Sequence, residues 1–125
     1  MDWKPISESS LWDLINEAEQ RMDVRQARLW EVIRVPPQKW YEKSYGEFGG
    51  GFWVVAIVGV TVIWYNDIED GFNRSSYSQF GTIGEYWCNQ DELEHALQQV
   101  IHNIETGQNH ALKCSPPISG TYEPA

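Results

Sequence analysis

Apolar side chains repeat with a helical rhythm at both ends of this chain and crowd together in its middle. Leu11, Leu14, Ile15, Ala18 and Met22 recur at i, i+3, i+4 and i+7, the rhythm of one buried helical face. The hydroxyl of Ser7 can accept a hydrogen bond from the first turn. Ile6 and Leu11 have the spacing of a hydrophobic staple, so a helix is predicted from Ser7. Asp23 and Gln26 are spaced as a second capping box, which would make Val24, Ala27, Trp30 and Ile33 an inner stripe. Leu29, Glu31, Ile33 and Val35 fit a strand as well, which leaves 24–35 open between helix and strand. Pro36-Pro37 is expected to end either element.

Residues 52–58 and 61–65 are dense in β-branched and aromatic side chains, which favours strands. Neither run alternates apolar with polar, so both of their faces should be covered and the strands central. Gly59-Val60 puts glycine first in the intervening turn, as a type II′ hairpin requires. The segment 39–43 is predicted as a short aromatic edge strand, followed by a Gly49-Gly50-Gly51 turn. Residues 66–73 read as a loop, with Gly71 available for positive φ. Residues 81–87 read as a further strand.

The last helix has the fullest set of signals. Asn89 and Glu92 form a cap pair, Asp91 and Glu92 suit the N-terminal dipole, and Gly107 can end it. Leu93, Ala96, Leu97, Val100, Ile101 and Ile104 make one stripe. The predicted fold class is α+β: an antiparallel sheet of three to four strands with N-terminal and C-terminal helices packed against it. The domain spans 1–107. Residues 108–125, rich in Pro, Gly and Ser, are expected to form a loosely ordered tail.

Composition narrows the class. The chain has 125 residues, one domain's worth. The apolar run 52–65 is shorter than the roughly 20 residues of a membrane-crossing helix. Met1-Asp2-Trp3-Lys4-Pro5 lacks the features of a signal peptide. A cytoplasmic protein with no membrane partner is expected, with Cys88 and Cys114 as reduced thiols. The net charge of −9 argues against nucleic acid as a partner.

That charge is unevenly spread. Residues 1–43 hold seven basic and eight acidic side chains, whereas 44–112 hold nine acidic side chains and one basic one, Arg74. The second region therefore carries −8 of the total, a field able to steer a basic partner. Arg21, Arg25 and Arg28 fall at i, i+4 and i+7, a stripe that would take phosphate or carboxylate if it is not simply solvated.

The loop Tyr65-Asn66-Asp67-Ile68-Glu69-Asp70-Gly71-Phe72-Asn73 gathers three carboxylates and two amides beside aromatic strands. Paired carboxylates can divide acid and base work. They can also bind calcium, but the spacing departs from the EF-hand pattern. Such residues equally build a plain turn. His95 and His102, seven apart, are too far apart for one metal, and no Walker A, HExxH or GxGxxG motif occurs. No cofactor and no metal are expected. Seven tryptophans are present, of which Trp53 and Trp64 are expected to meet across the hairpin. Trp40, Tyr41 and Tyr45 are expected nearest the surface.

Gly51-Phe52-Trp53 entering the sheet and Asp91-Glu92-Leu93 opening the last helix give a layout similar to the superfamily of bacterial toxin-immunity proteins that includes yeast cell-wall-synthesis regulators. That family's Leu-Pro segment after the first helix is missing here, and no functional residue carries over. The resemblance implies a protein that inhibits a toxin-like partner. The −8 charge of residues 44–112 beside Trp64, Tyr65 and Phe72 makes a small protein-binding module the leading expectation, more a binder than an enzyme. It would hold a basic protein through Trp64, Tyr65, Asp67, Glu69, Asp70 and Phe72. A carbohydrate-active or hydrolytic enzyme using residues 67–70 and a small-ligand-sensing module are the alternatives. A dimer through the sheet edge near 39–43 is a further expectation.

Overall fold

The computed structural model describes residues 3–45, 49–108 and 115. In chain order these form α1 (Glu8–Arg21), α2 (Val24–Ile33), β1 (Arg34–Trp40), β2 (Phe52–Val58), β3 (Thr61–Asn66), β4 (Gly71–Ser76) and α3 (Leu93–Thr106). The strands pair antiparallel in the order β1-β2-β3-β4. The architecture is α+β, with helices before and after the sheet region. The expected tail over 108–125 lies outside the described residues, apart from Gln108 and Ser115.

The helix starts follow their local signals. Ser7 Oγ accepts from Ser10 N at 3.1 Å. At α2 the capping box is complete: Gln26 N donates to Asp23 Oδ1 at 2.8 Å, and Asp23 N donates to Gln26 Oε1 at 2.9 Å. The ambiguity over 24–35 resolves into both readings in sequence, a helix to Ile33 and a strand from Arg34. Pro36-Pro37 does not end that strand but lies inside it. β1 is an edge strand, where a missing N–H leaves no neighbour unpaired, and its register shifts between Arg34 and Gln38. The two prolines also blunt this edge against pairing with another chain.

Both faces of the sheet are covered, as the lack of alternation in β2 and β3 predicts. A bulge between Val54 and Ala56 helps on one side. It lets the consecutive Val55 and Ala56 both join Ile63, Tyr65 and Phe72 beneath Leu11, Ile15, Trp30, Leu93, Leu97 and Val100 of the helices. The hairpin turn has positive φ at Gly59 (59°) and not at Val60, as type II′ has.

The opposite face carries Phe52, Val54, Val62 and Trp64, together with Trp40. No helix covers it. The cover includes the irregular chain after β4, which contributes Tyr77, Ile83 and Tyr86, together with Trp3, Tyr45 and Ile68. The strand predicted over 81–87 is therefore absent. A strand added at the edge would have left this aromatic face bare, and isolated bridges (Tyr41 with Thr82, Gln79 with Thr82) pin the segment instead.

Three placements differ further from expectation. Trp40 is buried against Tyr77 and Phe80 rather than near the surface. Trp53 lies opposite Tyr65 and Trp64 opposite Val54, so the two indoles occupy different faces. Asn89 does not cap α3: its amide N donates to Asn73 Oδ1 at 2.8 Å. The cap position is Glu92, whose side chain makes no cap bond and meets Arg21 at 3.0 Å. Gly107 ends α3 in the left-handed region, as read from sequence.

Candidate binding site at the acidic loop

Asn66, the last residue of β3, organises the acidic turn. Its Oδ1 accepts from Ile68 N at 3.0 Å and Glu69 N at 3.3 Å, which closes an Asx-type turn. Its Nδ2 donates to Tyr86 Oη and to the Trp87 carbonyl, both at 3.0 Å. One fully buried amide thus joins the turn to the chain covering the aromatic face. Asp70 completes the turn at φ 57°, a conformation that aspartate tolerates.

Asp67 points back towards the N-terminal strap, residues 3–6. Its Oδ2 accepts from Ile6 N at 2.7 Å, and Trp53 Nε1 donates to the Ile6 carbonyl at 3.3 Å. Trp3 stacks on Phe52 with ring centroids 5.5 Å apart. Burial pushes the Asp67 carboxyl above its usual range, against the opposing pull of the Ile6 N–H and the charge of Lys39. Lys39 donates to the Gly49 and Gly51 carbonyls at 3.2 Å and lies 4.9 Å from the Trp53 ring centroid. Burial lowers its pKa.

Between the strap and the turn lies a cleft of about 430 Å³. Lys4, Pro5, Ile6, Ser7 and Ser10 line one wall, and Asp67 and Asp70 the other. The Tyr65 hydroxyl donates to Asp70 Oδ1 at 3.4 Å. Its pKa is pushed up to about 12, first by burial, then by the charge and hydrogen bond of Asp70, and then by the charges of Asp67 and Glu92. Asp70 is the carboxylate in contact with this hydroxyl, and Asp67 and Glu92 act on it through their charge. Among the described residues, no ion pair reaches residues 67–70.

The structure divides the six residues expected to form a binding face. Asp67 and Asp70 share the cleft; Asp70 is exposed. Glu69 is half-buried beside them, and its carbonyl accepts from Gln90 Nε2 at 3.1 Å. Trp64 is 0% exposed, and Tyr65 and Phe72 are also core residues. Their rings pack on opposite faces of the sheet and give the acidic turn no aromatic surface. Among the described residues, none that lines the cleft is aromatic. Sequence reasoning missed the other wall, Lys4 to Ser10, because it lies about sixty residues away along the chain. It missed Asn66 as the hub, although an Asn directly after a β-rich run is a turn signal.

The arginine stripe serves the helical layer. Arg21 forks onto Glu94 and reaches Glu92, tying α1 to α3, and Arg25 meets Glu105 at 2.7 Å, tying α2 to α3. Burial raises the Glu94 carboxyl, but the hydrogen bond and charge of Arg21 outweigh it and hold it below its usual range. Among the described residues, no three His, Cys, Asp or Glu side chains gather as a metal site. Cys88 is half-buried, and Cys114 lies outside the described residues. No helix is long and apolar enough to cross a membrane, among the described residues.

Compared with known protein families, with curated proteins and with solved structures, the chain matches none.

Proposed function

We propose that the protein is a binding module that holds a positively charged segment of a partner protein at its acidic turn. Inhibition of a toxin-like partner is one form this takes. The observation that carries the reading is the cleft wall formed by Asp67 and the exposed Asp70. A lysine or arginine side chain entering that cleft would relieve the mutual repulsion of these carboxylates. Asp70, exposed and in no ion pair among the described residues, is the principal contact; Asp67 is the deeper one.

Titration with an oligolysine peptide across a salt series tests the reading. Binding that weakens as salt rises, and that Asp70→Asn and Glu69→Gln both reduce, supports it. Affinity indifferent to salt, or unchanged in both variants, overturns it.

A further inference from the structure

The stripes read from sequence place Val24 and Ile104 towards the core, yet they are 66% and 62% exposed. Beside Ile104 runs a groove of about 330 Å³ between α2 and α3, floored by Ile101 and Ile104 and flanked by Arg25, Arg28 and Glu105. Arg25 is taken up by Glu105. Arg28, on the same stripe, makes no ion pair among the described residues. On a chain of net charge −9, this apolar groove carries a local positive excess of two guanidiniums over one carboxylate.

We propose that this groove docks an acidic amphipathic segment of a partner protein. An apolar side chain sits on Ile101 and Ile104, and a carboxylate is forked by Arg28. The apolar floor gains from losing water. A guanidinium offers two parallel N–H groups that match a carboxylate. A cleft between two helices suits the helix-in-groove mode of recognition. A basic amphipathic segment is disfavoured by Arg28 itself. Ile104 lies twelve residues beyond Glu92 along α3, about 18 Å at the helical rise. The groove is thus separate from the acidic turn, and the proposal stands whether or not that turn binds a partner.

The test uses the full chain labelled with ¹⁵N. It is titrated with an amphipathic peptide of about 14 residues, four helical turns, carrying Leu at i, i+3, i+4 and i+7 spacing and Glu elsewhere. A second peptide replaces every Glu by Lys. The acidic peptide should shift the amides of Arg28, Ile101 and Ile104, and bind more weakly as salt rises. Arg28→Glu and Ile104→Glu, both surface changes, should each weaken it by about tenfold, while Asp70→Asn leaves it unaltered. Unperturbed spectra elsewhere show that the variants fold. No binding of the acidic peptide, shifts confined to other surfaces, equal affinity for the Lys peptide, or undiminished binding by Arg28→Glu each overturns the proposal.

Discussion

The two faces of the sheet are covered in different ways. On one face, three helices lay down apolar stripes whose spacing is set by their own periodicity, with Leu11, Ile15, Trp30, Leu93 and Leu97 at the contact. On the other, chain without regular structure is attached by side-chain hydrogen bonds and a few backbone ones. Trp64 Nε1 donates to Ser75 Oγ at 2.8 Å, and Ser75 Oγ donates to the Glu85 carbonyl at 2.7 Å. Asn66 binds Tyr86 and Trp87, while Tyr41 N and Ile83 N exchange bonds with the Gly81 and Tyr41 carbonyls. A helix satisfies its own backbone and brings only side chains to the core. An irregular cover must find a partner for each buried polar group. The second face therefore depends on a few polar side chains in a way the first does not.

Truncating one large side chain on each face tests how evenly the core is shared. Trp64→Ala should cost about 3–5 kcal/mol, and Leu97→Ala about 2–5 kcal/mol, in denaturant unfolding. Hydrogen exchange then separates the faces. Trp64→Ala should expose amides of residues 77–91 at lower free energy than those of α3, whereas Leu97→Ala should loosen α3 first. Equal loosening in both variants would erase the distinction between the two covers.

Asn66→Ala isolates the polar attachment. It removes the acceptor for two turn amides and the donor to Tyr86 and Trp87, at an expected cost of about 1–3 kcal/mol. A near-neutral result would mean that the irregular cover holds by packing alone.

Two carboxylates sharpen the contrast through pH, with opposite signs. Glu94 is held below its usual pKa on folding, so its contribution is present above the unfolded value and lost as pH falls through the folded one. Glu94→Gln should flatten that acid limb, with a modest loss at neutral pH because Arg21 lies partly in solvent. Asp67 is raised on folding, so its protonated form favours the native state and the contribution fades as pH rises through the folded value. Asp67→Asn should be less destabilising at neutral pH than at acid pH, and its difference from wild type should grow as pH falls. Unfolding curves of both variants at matched pH values check the two signs. The Asp67 effect is the smallest expected, because an amide oxygen can still accept from Ile6 N.

Much of the helical layer was legible because its signals are local. Ser7, the Asp23–Gln26 box and Gly107 act within one helical turn, and Gly59 fixes its hairpin within two residues. The acidic turn was legible as a cluster, but which of its members share a cleft was not. Asp67 and Asp70 face Lys4 to Ser10 across a gap closed only by folding, while Trp64, Tyr65 and Phe72, their neighbours in sequence, turn into the core.

By itself, then, the sequence determined the starts of the first two helices, the end of the last, the central hairpin and the acidic bias of residues 44–112, since each depends on residues close together in the chain or on a simple count. Only the tertiary structure decided that residues 77–91 roof the aromatic face rather than extend the sheet, that Pro36-Pro37 sits in an edge strand, and that Val24 and Ile104 stay in contact with water. Those outcomes turn on which distant surface each segment meets, and periodicity carries no information about a partner contributed from far along the chain.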